Sequence, residues 1–404
     1  MGGDFLQHPA VAFTEDHFYA LQSAKGLLKT LCLSDSAEPA PQYAGAGLCN
    51  SIGALPTFTS LVRLHLSVLN QNPDWQPLAQ LSGLHDLALQ CQEDMSSCAQ
   101  VLISNRANLQ HVVIASRSWD YDTYAALPGL QSLRSISIKV DTLTFPEATV
   151  VGNLPAPLDI RILIRRCGTV TPYVFRALSS GTAAITNLVV WELSKAHCRE
   201  LQQMQHLALL AIMRPGHDVN VTDLKPQQGL KILHLFSCFG IDDSGVQYIT
   251  AAFPSLRTVS VLHEVQFRAP MDLPIISVEA VVSLAQGQLL EHMYIGGLTG
   301  LTRQGIKALK HAIKAQQSAG LSPETVFIVL PSLSEADGGK MTTCDNLAFP
   351  CFEFATNELG FVISSLLVVG RSDNIGDSIP YQLTAQRLDR YFTARLWPAR
   401  ILMQ

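Results

Sequence analysis

The chain has 404 residues, of which 48% are apolar and only 15% are charged, and its mean hydropathy is +0.20. So much apolar side chain must be buried, which excludes a disordered chain, and the length suits two or three domains or one elongated array. A net charge of −5 gives no indication of a basic surface, and it therefore argues against a nucleic-acid partner.

The cysteines and the N-terminal residues bear on the cellular compartment. Nine scattered cysteines without a CxxC pair favour reduced, buried thiols. The first twenty residues carry Asp4, Glu15 and Asp16 and lack the pattern of a signal peptide. The longest apolar run, 359–370, is shorter than the ~20 residues of a membrane helix. We therefore expect a cytoplasmic or nuclear protein that is not associated with a membrane.

In chain order, the first predicted element is a capping helix within residues 1–26, which Thr14 begins and Gly26 ends. After it the motif Leu-x-x-Leu-x-Leu, with Ile, Val or Met allowed, occurs in eleven copies, one of which is degenerate and begins with Asp159. The copies begin at Leu28, Leu61, Leu84, Leu109, Leu133, Asp159, Ile185, Leu207, Leu230, Leu256 and Leu290. Eight of the ten intervals are 22 to 26 residues long, the period of leucine-rich repeats.

Two copies extend further, and they carry a resemblance to a known family. The copy from Leu230 continues with Cys238 at its ninth position and Gly245-Val246 beyond, the copy from Leu290 keeps the same spacing, and Cys167 also occupies a ninth position. This resembles the cysteine-containing repeats of F-box and related intracellular leucine-rich repeat proteins. The resemblance implies an α/β fold, a leucine-rich repeat solenoid with a curved parallel sheet on the concave side and helices and turns outside.

We predict that the solenoid occupies residues 27–318, with about 11 repeats, and that each unit buries its apolar face against its neighbours. Asp242 or Asp243 is expected to cap a helix that runs to about Ala252, and Thr302 a helix that runs to about Gln317. Residues 319–404 are interpreted as an irregular C-terminal cap, with strands near 325–330 and 361–369 and a final helix. A separate small domain is the alternative for this region.

Catalytic and metal-binding motifs are missing from the sequence. It contains no nucleotide-binding loop, no G-x-S-x-G, no H-E-x-x-H and no kinase signature, and no two histidines are spaced for a helical zinc site. Cys344-Asp345 is similar to the catalytic pair of some bacterial ubiquitin ligases that carry leucine-rich repeats, but the segment after the repeats is short for that domain. We expect no catalytic residue, no cofactor and no metal.

The concave face offers a candidate binding site, because the third, fifth and seventh positions of each motif point away from the core. The early copies are polar there, whereas the middle copies form an apolar stripe, and exposed patches of this kind usually mark an interface. The predicted partner-binding residues are Leu163, Val189, Trp191, Leu209, Met213, Ile232, His234 and Phe236. Trp191, Met213 and Phe236 should form one row of anchors. The alternative is that the C-terminal segment or a loop covers the stripe.

The sequence thus predicts a non-enzymatic scaffold that binds a protein or peptide on its concave face. One alternative is the substrate-recognition part of a ubiquitin ligase complex, although only some 25 residues precede the first strand and they do not resemble an F-box. A second alternative is an enzyme with its site in 319–404. The identity of the partner and the oligomeric state do not follow from the sequence.

Overall fold

The computed structural model describes residues 21–22, 25–34, 52–68, 73–91, 93, 95–155, 158–213, 216, 219–236, 241–262, 276–287, 290, 292–299, 308, 311, 326–331 and 367–369. The chain divides into two compact units, Met1–Val190 and Trp191–Gln404.

The first unit is built on a parallel sheet whose strands follow one another in chain order. Its strands are β1 (Thr30–Ser34), β2 (Arg63–Val68), β3 (Asp86–Cys91), β4 (His111–Ala115), β5 (Ser135–Val140), β6 (Asp159–Ile164) and β7 (Ile185–Trp191). Each strand begins within a predicted motif copy, so the repeat period fixes where the strands lie.

The motif leucines of the first unit stack in the predicted column. Leu64 pairs with Leu87, the register continues through Val112 to Ile136, and all four side chains are buried. Side chains alternate across a strand, so the intervening positions emerge on the other side of the sheet. The leucine-rich repeat fold is therefore confirmed.

Short helices and 3₁₀ turns connect the strands of the first unit. The helices are α1 (Cys98–Ser104), α2 (Tyr121–Ala126), α3 (Phe145–Gly152) and α4 (Tyr173–Ser180), and 3₁₀ segments include Ile52–Thr57 and Gln76–Gln80. Local capping explains two of the starts. The Thr123 N–H donates to Asp120 Oδ1 (2.8 Å) at α2, and the Thr144 N–H donates to Glu147 Oε2 (2.6 Å) at α3.

A buried amide connects two successive repeats of the first unit. The Leu84 N–H donates to Asn105 Oδ1 (3.0 Å), and Asn105 Nδ2 donates to the Val101 carbonyl (3.0 Å) at the end of α1. Asn105 is fully buried. It satisfies a backbone donor that would otherwise be buried without a partner.

The second unit repeats the same architecture. Its strands are β8 (Leu209–Met213), β9 (Ile232–Phe236), β10 (Thr258–Leu262), β11 (Ile276–Ser277), β12 (His292–Thr299), β13 (Val326–Pro331) and β14 (Leu367–Val369), and its helices are α5 (Lys195–Leu201), α6 (Asp243–Ala252) and α7 (Val278–Gly287). Strands β8, β9, β10, β12 and β13 pair in parallel, β11 pairs with the end of β12, and β14 is antiparallel to β13.

Several predictions for the second unit can be checked directly. Asp242 caps α6, since its Oδ1 accepts the Gly245 N–H at 3.0 Å, and the helix ends at Ala252 as expected. Leu233 pairs with Leu210 and Val259 in the buried row. β13 matches the strand predicted near 325–330, and β14 occupies the end of the one predicted over 361–369.

Other predictions concern residues outside those that the structure describes. They include most of the capping helix from Thr14, the greater part of the helix from Thr302, the Cys344-Asp345 pair and the final helix after residue 380.

Candidate functional site

The two sides of the first-unit sheet differ in burial. In β2, Leu64, Leu66 and Val68 are buried, whereas Arg63 is exposed and His65 and Ser67 are partly exposed. We call the side that carries Arg63, His65, Ser67 and the residues in register with them the open face. It is the surface on which this sheet can meet a partner.

Polar contacts join neighbouring strands on the open face. Arg63 Nε lies 2.7 Å from Asp86 Oδ2, which connects β2 to β3. His111 Nδ1 and Ser135 Oγ are 2.8 Å apart and connect β4 to β5. These contacts fix the orientations of the side chains, so the open face presents a defined pattern of charge.

Charge is concentrated at the carboxyl ends of β4, β5 and β6. Arg165 Nη1 and Arg166 Nε each lie 3.5 Å from a carboxylate oxygen of Asp141. Lys139 occupies the open face of β5, and burial, with the nearby Arg165 charge, lowers the pKa of its amine to about 7. Arg165 occupies the seventh position of the copy that begins at Asp159, but the motif gave no signal for the contacts with Asp141.

Two of the predicted partner-binding residues lie on the first unit. Leu163 in β6 pairs with Val189 in β7, so the register places them side by side on the open face as expected. Leu163 is buried and Val189 is partly exposed. Only Val189 therefore offers a surface to solvent.

The predicted row of anchors can be compared with the strand pairing of the second unit. Met213 pairs with Phe236 across β8 and β9. The Glu192 N–H donates to the Met213 carbonyl at 3.0 Å, the hydrogen bond that places Trp191 beside Met213 in a parallel pair. Trp191, Met213 and Phe236 thus occupy one line across the strands.

The prediction that these side chains are exposed to solvent is wrong for most of them. Trp191 is only 7% exposed and Met213 only 6%, and Leu209 and His234 are also buried. All five residues of β8 are buried, so this strand is covered on both sides. Their part in binding stays a prediction, and so does that of Phe236, whose side chain is outside the described set. Ile232 is the partly exposed member.

His234 has a structural environment. Its Nδ1 lies 2.7 Å from Ser260 Oγ on β10, and burial lowers the pKa of the imidazole to about 3. Ala211 and Ser260, its register neighbours on β8 and β10, carry no charge. The ring is thus neutral at physiological pH, which suits a buried hydrogen-bonding group.

A metal site, reactive thiols and a membrane-spanning helix can also be considered for the described residues. Among them, no three His, Cys, Asp or Glu side chains are grouped so as to hold a metal ion. Cys91, Cys98, Cys167 and Cys198 are buried thiols, as expected, while Cys32 is exposed. No helix in the described ranges is long and apolar enough to cross a membrane.

Comparisons with known proteins find similarity among solved structures only. No protein-family model matches the sequence, and no curated protein does. An internalin from Listeria monocytogenes is 13% identical, with a TM-score of 0.38, and the match covers 72% of this chain and 73% of that one. The TLR13–ssRNA13 complex is 16% identical (TM-score 0.35; 76% and 51% covered). A leucine-rich repeat protein of Leptospira interrogans is 14% identical (TM-score 0.32; 72% and 78% covered). The fold assignment rests on the repeats and strand register of this chain.

Proposed function

We propose that this chain is a non-enzymatic scaffold that binds a protein or peptide on the open face of its first unit. One observation carries the proposal. From β2 to β7, most side chains on the open face are partly or fully exposed and alternate with buried core residues in a nearly unbroken register. The buried exceptions in the first unit are Asp86, Ala115 and Leu163. Since neighbouring strands lie ~4.8 Å apart, their side chains make one continuous surface.

The chemistry of that surface suits recognition of another chain. Charged and hydroxyl side chains lie beside partly exposed apolar ones such as Ala88 and Val113. Protein interfaces mix polar and apolar area in this way, and rigid elements hold the contacts in place.

The apolar residues predicted as the binding site enter this proposal with different roles. Val189 is partly exposed on the first unit, and we expect it to touch a partner directly. Ile232 is also partly exposed but belongs to the second unit, outside the surface proposed here. Leu163, Trp191, Leu209, Met213 and His234 are buried and are expected to support the sheet. Trp191→Ser should then destabilise the fold, because it removes a buried side chain. The same change at an exposed anchor would leave the fold intact.

Affinity capture followed by mass spectrometry tests the proposal. Ala88→Arg with Val113→Arg places two bulky charges on adjacent strands of the open face and should remove the specifically captured proteins. The matched control, Gln100→Arg with Ala125→Arg, puts the same charges on exposed positions of α1 and α2 and should retain them. If the open-face variant is folded and captures the same proteins as the wild type, the proposal is wrong.

The ubiquitin-ligase alternative rests on the cysteine-containing repeats alone. In that hypothesis a separate adaptor joins the chain to the ligase. Co-purification with a ligase adaptor tests it, and its absence at saturating adaptor would exclude it.

A further inference from the structure

Three cationic side chains lie around one buried leucine on the open face. Arg161 lies in β6 two residues before Leu163, and Arg165 lies two residues after Leu163, directly beyond the end of the strand. Lys139 lies beside Leu163 on β5, because these two residues are in register. Arg161, Lys139 and Arg165 therefore form a compact basic group, although the chain as a whole is acidic.

Positive charge exceeds negative charge in this group. Arg161 pairs with Asp159, and that carboxylate also accepts a hydrogen bond from Thr186 Oγ1 at 2.6 Å. Asp141 forms ion pairs with both Arg165 and Arg166. Three arginines thus share two carboxylates.

The arginines also retain hydrogen-bonding capacity. The side chains of Arg161 and Arg165 are each 31% exposed, and each contacts a carboxylate through one terminal nitrogen. A guanidinium offers five donors in a fixed fork, and one carboxylate contact does not exhaust them. Burial is the main cause of the lowered pKa of the Lys139 amine, and the Arg165 charge lowers it further. A bound anion would offset the Arg165 contribution.

We propose that Lys139, Arg161 and Arg165 bind the carboxylates of an acidic peptide segment of a partner protein. The inference rests on the proposed function and names the chemistry of the partner. Arg161 and Arg165 are four residues apart, about 13 Å along a strand, with Lys139 between them. An extended segment with an acidic residue at every second position matches that spacing.

The neighbouring side chains favour a peptide over a phosphate-rich polyanion. Val113 on β4 and Val189 on β7 are partly exposed and lie on either side of the basic group. They provide apolar contact for the residues between the carboxylates. The net charge of −5 also repels a long polyanion, whereas a short acidic segment meets the local excess of positive charge.

Fluorescence anisotropy with a labelled peptide of alternating Glu and Thr tests the inference. Lys139→Gln with Arg161→Gln should weaken binding at least tenfold. That tenfold loss of affinity corresponds to ~1.4 kcal/mol of binding free energy. The matched control, Arg106→Gln with Arg134→Gln, removes two exposed arginines from the same unit and should bind within about threefold of the wild type. Lys139→Arg keeps the charge and should retain binding.

Other outcomes overturn the inference. If the wild type binds the Glu peptide no better than the equivalent Gln peptide, carboxylates are not recognised, whatever the variants do. If inorganic tripolyphosphate or single-stranded RNA binds more tightly than the peptide and is lost in Lys139→Gln with Arg161→Gln, the site recognises phosphate. If that variant captures the same cellular proteins as the wild type while Ala88→Arg with Val113→Arg loses them, this inference fails and the proposed function stands.

Discussion

His234 shows how one residue ties the stability of the second unit to pH. An imidazole has a pKa of about 6.5 in an unfolded chain, and burial lowers it to about 3 in the folded protein. Below about pH 6.5 the unfolded state binds a proton that the folded state excludes. The stability that the neutral ring contributes is therefore complete above that pH and is lost as the pH falls toward 3.

We expect the free energy of unfolding to fall by about 2 kcal/mol more between pH 7 and pH 5 in the wild type than in His234→Gln. Glutamine does not titrate, and it can still bond Ser260. Urea unfolding at the two pH values measures the difference. An identical pH dependence in the two proteins would show that the ring is not buried in the neutral form.

At the scale of elements, α3 and α4 approach each other too closely for a side chain at their contact. A Cβ at Gly152 would overlap the Ala177 carbonyl and lie 3.1 Å from the Leu178 carbonyl, and a Cβ at Gly181 would overlap the Gly152 backbone. Two successive repeats can pack at this distance only because both positions are glycine.

Gly152→Ala should destabilise the protein by about 1–3 kcal/mol, because α3 and α4 must separate to admit the methyl group. Gly129→Ala is the matched control, since a Cβ there meets nothing within 4 Å and the change should be neutral or slightly stabilising. Thermal unfolding followed by circular dichroism compares them. Equal midpoints for the two variants would contradict the close contact.

The sequence predicted the strands well and the connecting segments less well. The leucines of each motif must all enter one core, so their spacing determines strand position and register, as Leu64 and Leu87 illustrate. The outer segments obey a weaker constraint, because any short connection that returns the chain is acceptable. The motif did not predict the 3₁₀ turn that contains Pro56, and nothing in it identified Asn105 as a partner for the Leu84 backbone.

The candidate site was harder to predict than the fold, because exposure depends on what packs against a surface. The motif phase correctly placed Met213 and Phe236 in one row, but it carries no information on what covers them. Met213 proved to be buried. The proximity of Lys139 and Arg165 depends on register between adjacent repeats, and it became visible only once β5 and β6 were aligned.

At the scale of the whole molecule, a repeat architecture predicts that damage stays near its origin, because each repeat contacts mainly its neighbours. Leu233→Ala should cost ~2–5 kcal/mol, as expected for a fully buried leucine. Backbone amide hydrogen exchange should then accelerate most in β8, β9 and β10, which contain its register partners Leu210 and Val259. Leu64→Ala should produce the reciprocal pattern, centred on β1 to β3. Uniform acceleration throughout the chain in either variant would indicate a single cooperative core and would contradict the nearest-neighbour picture.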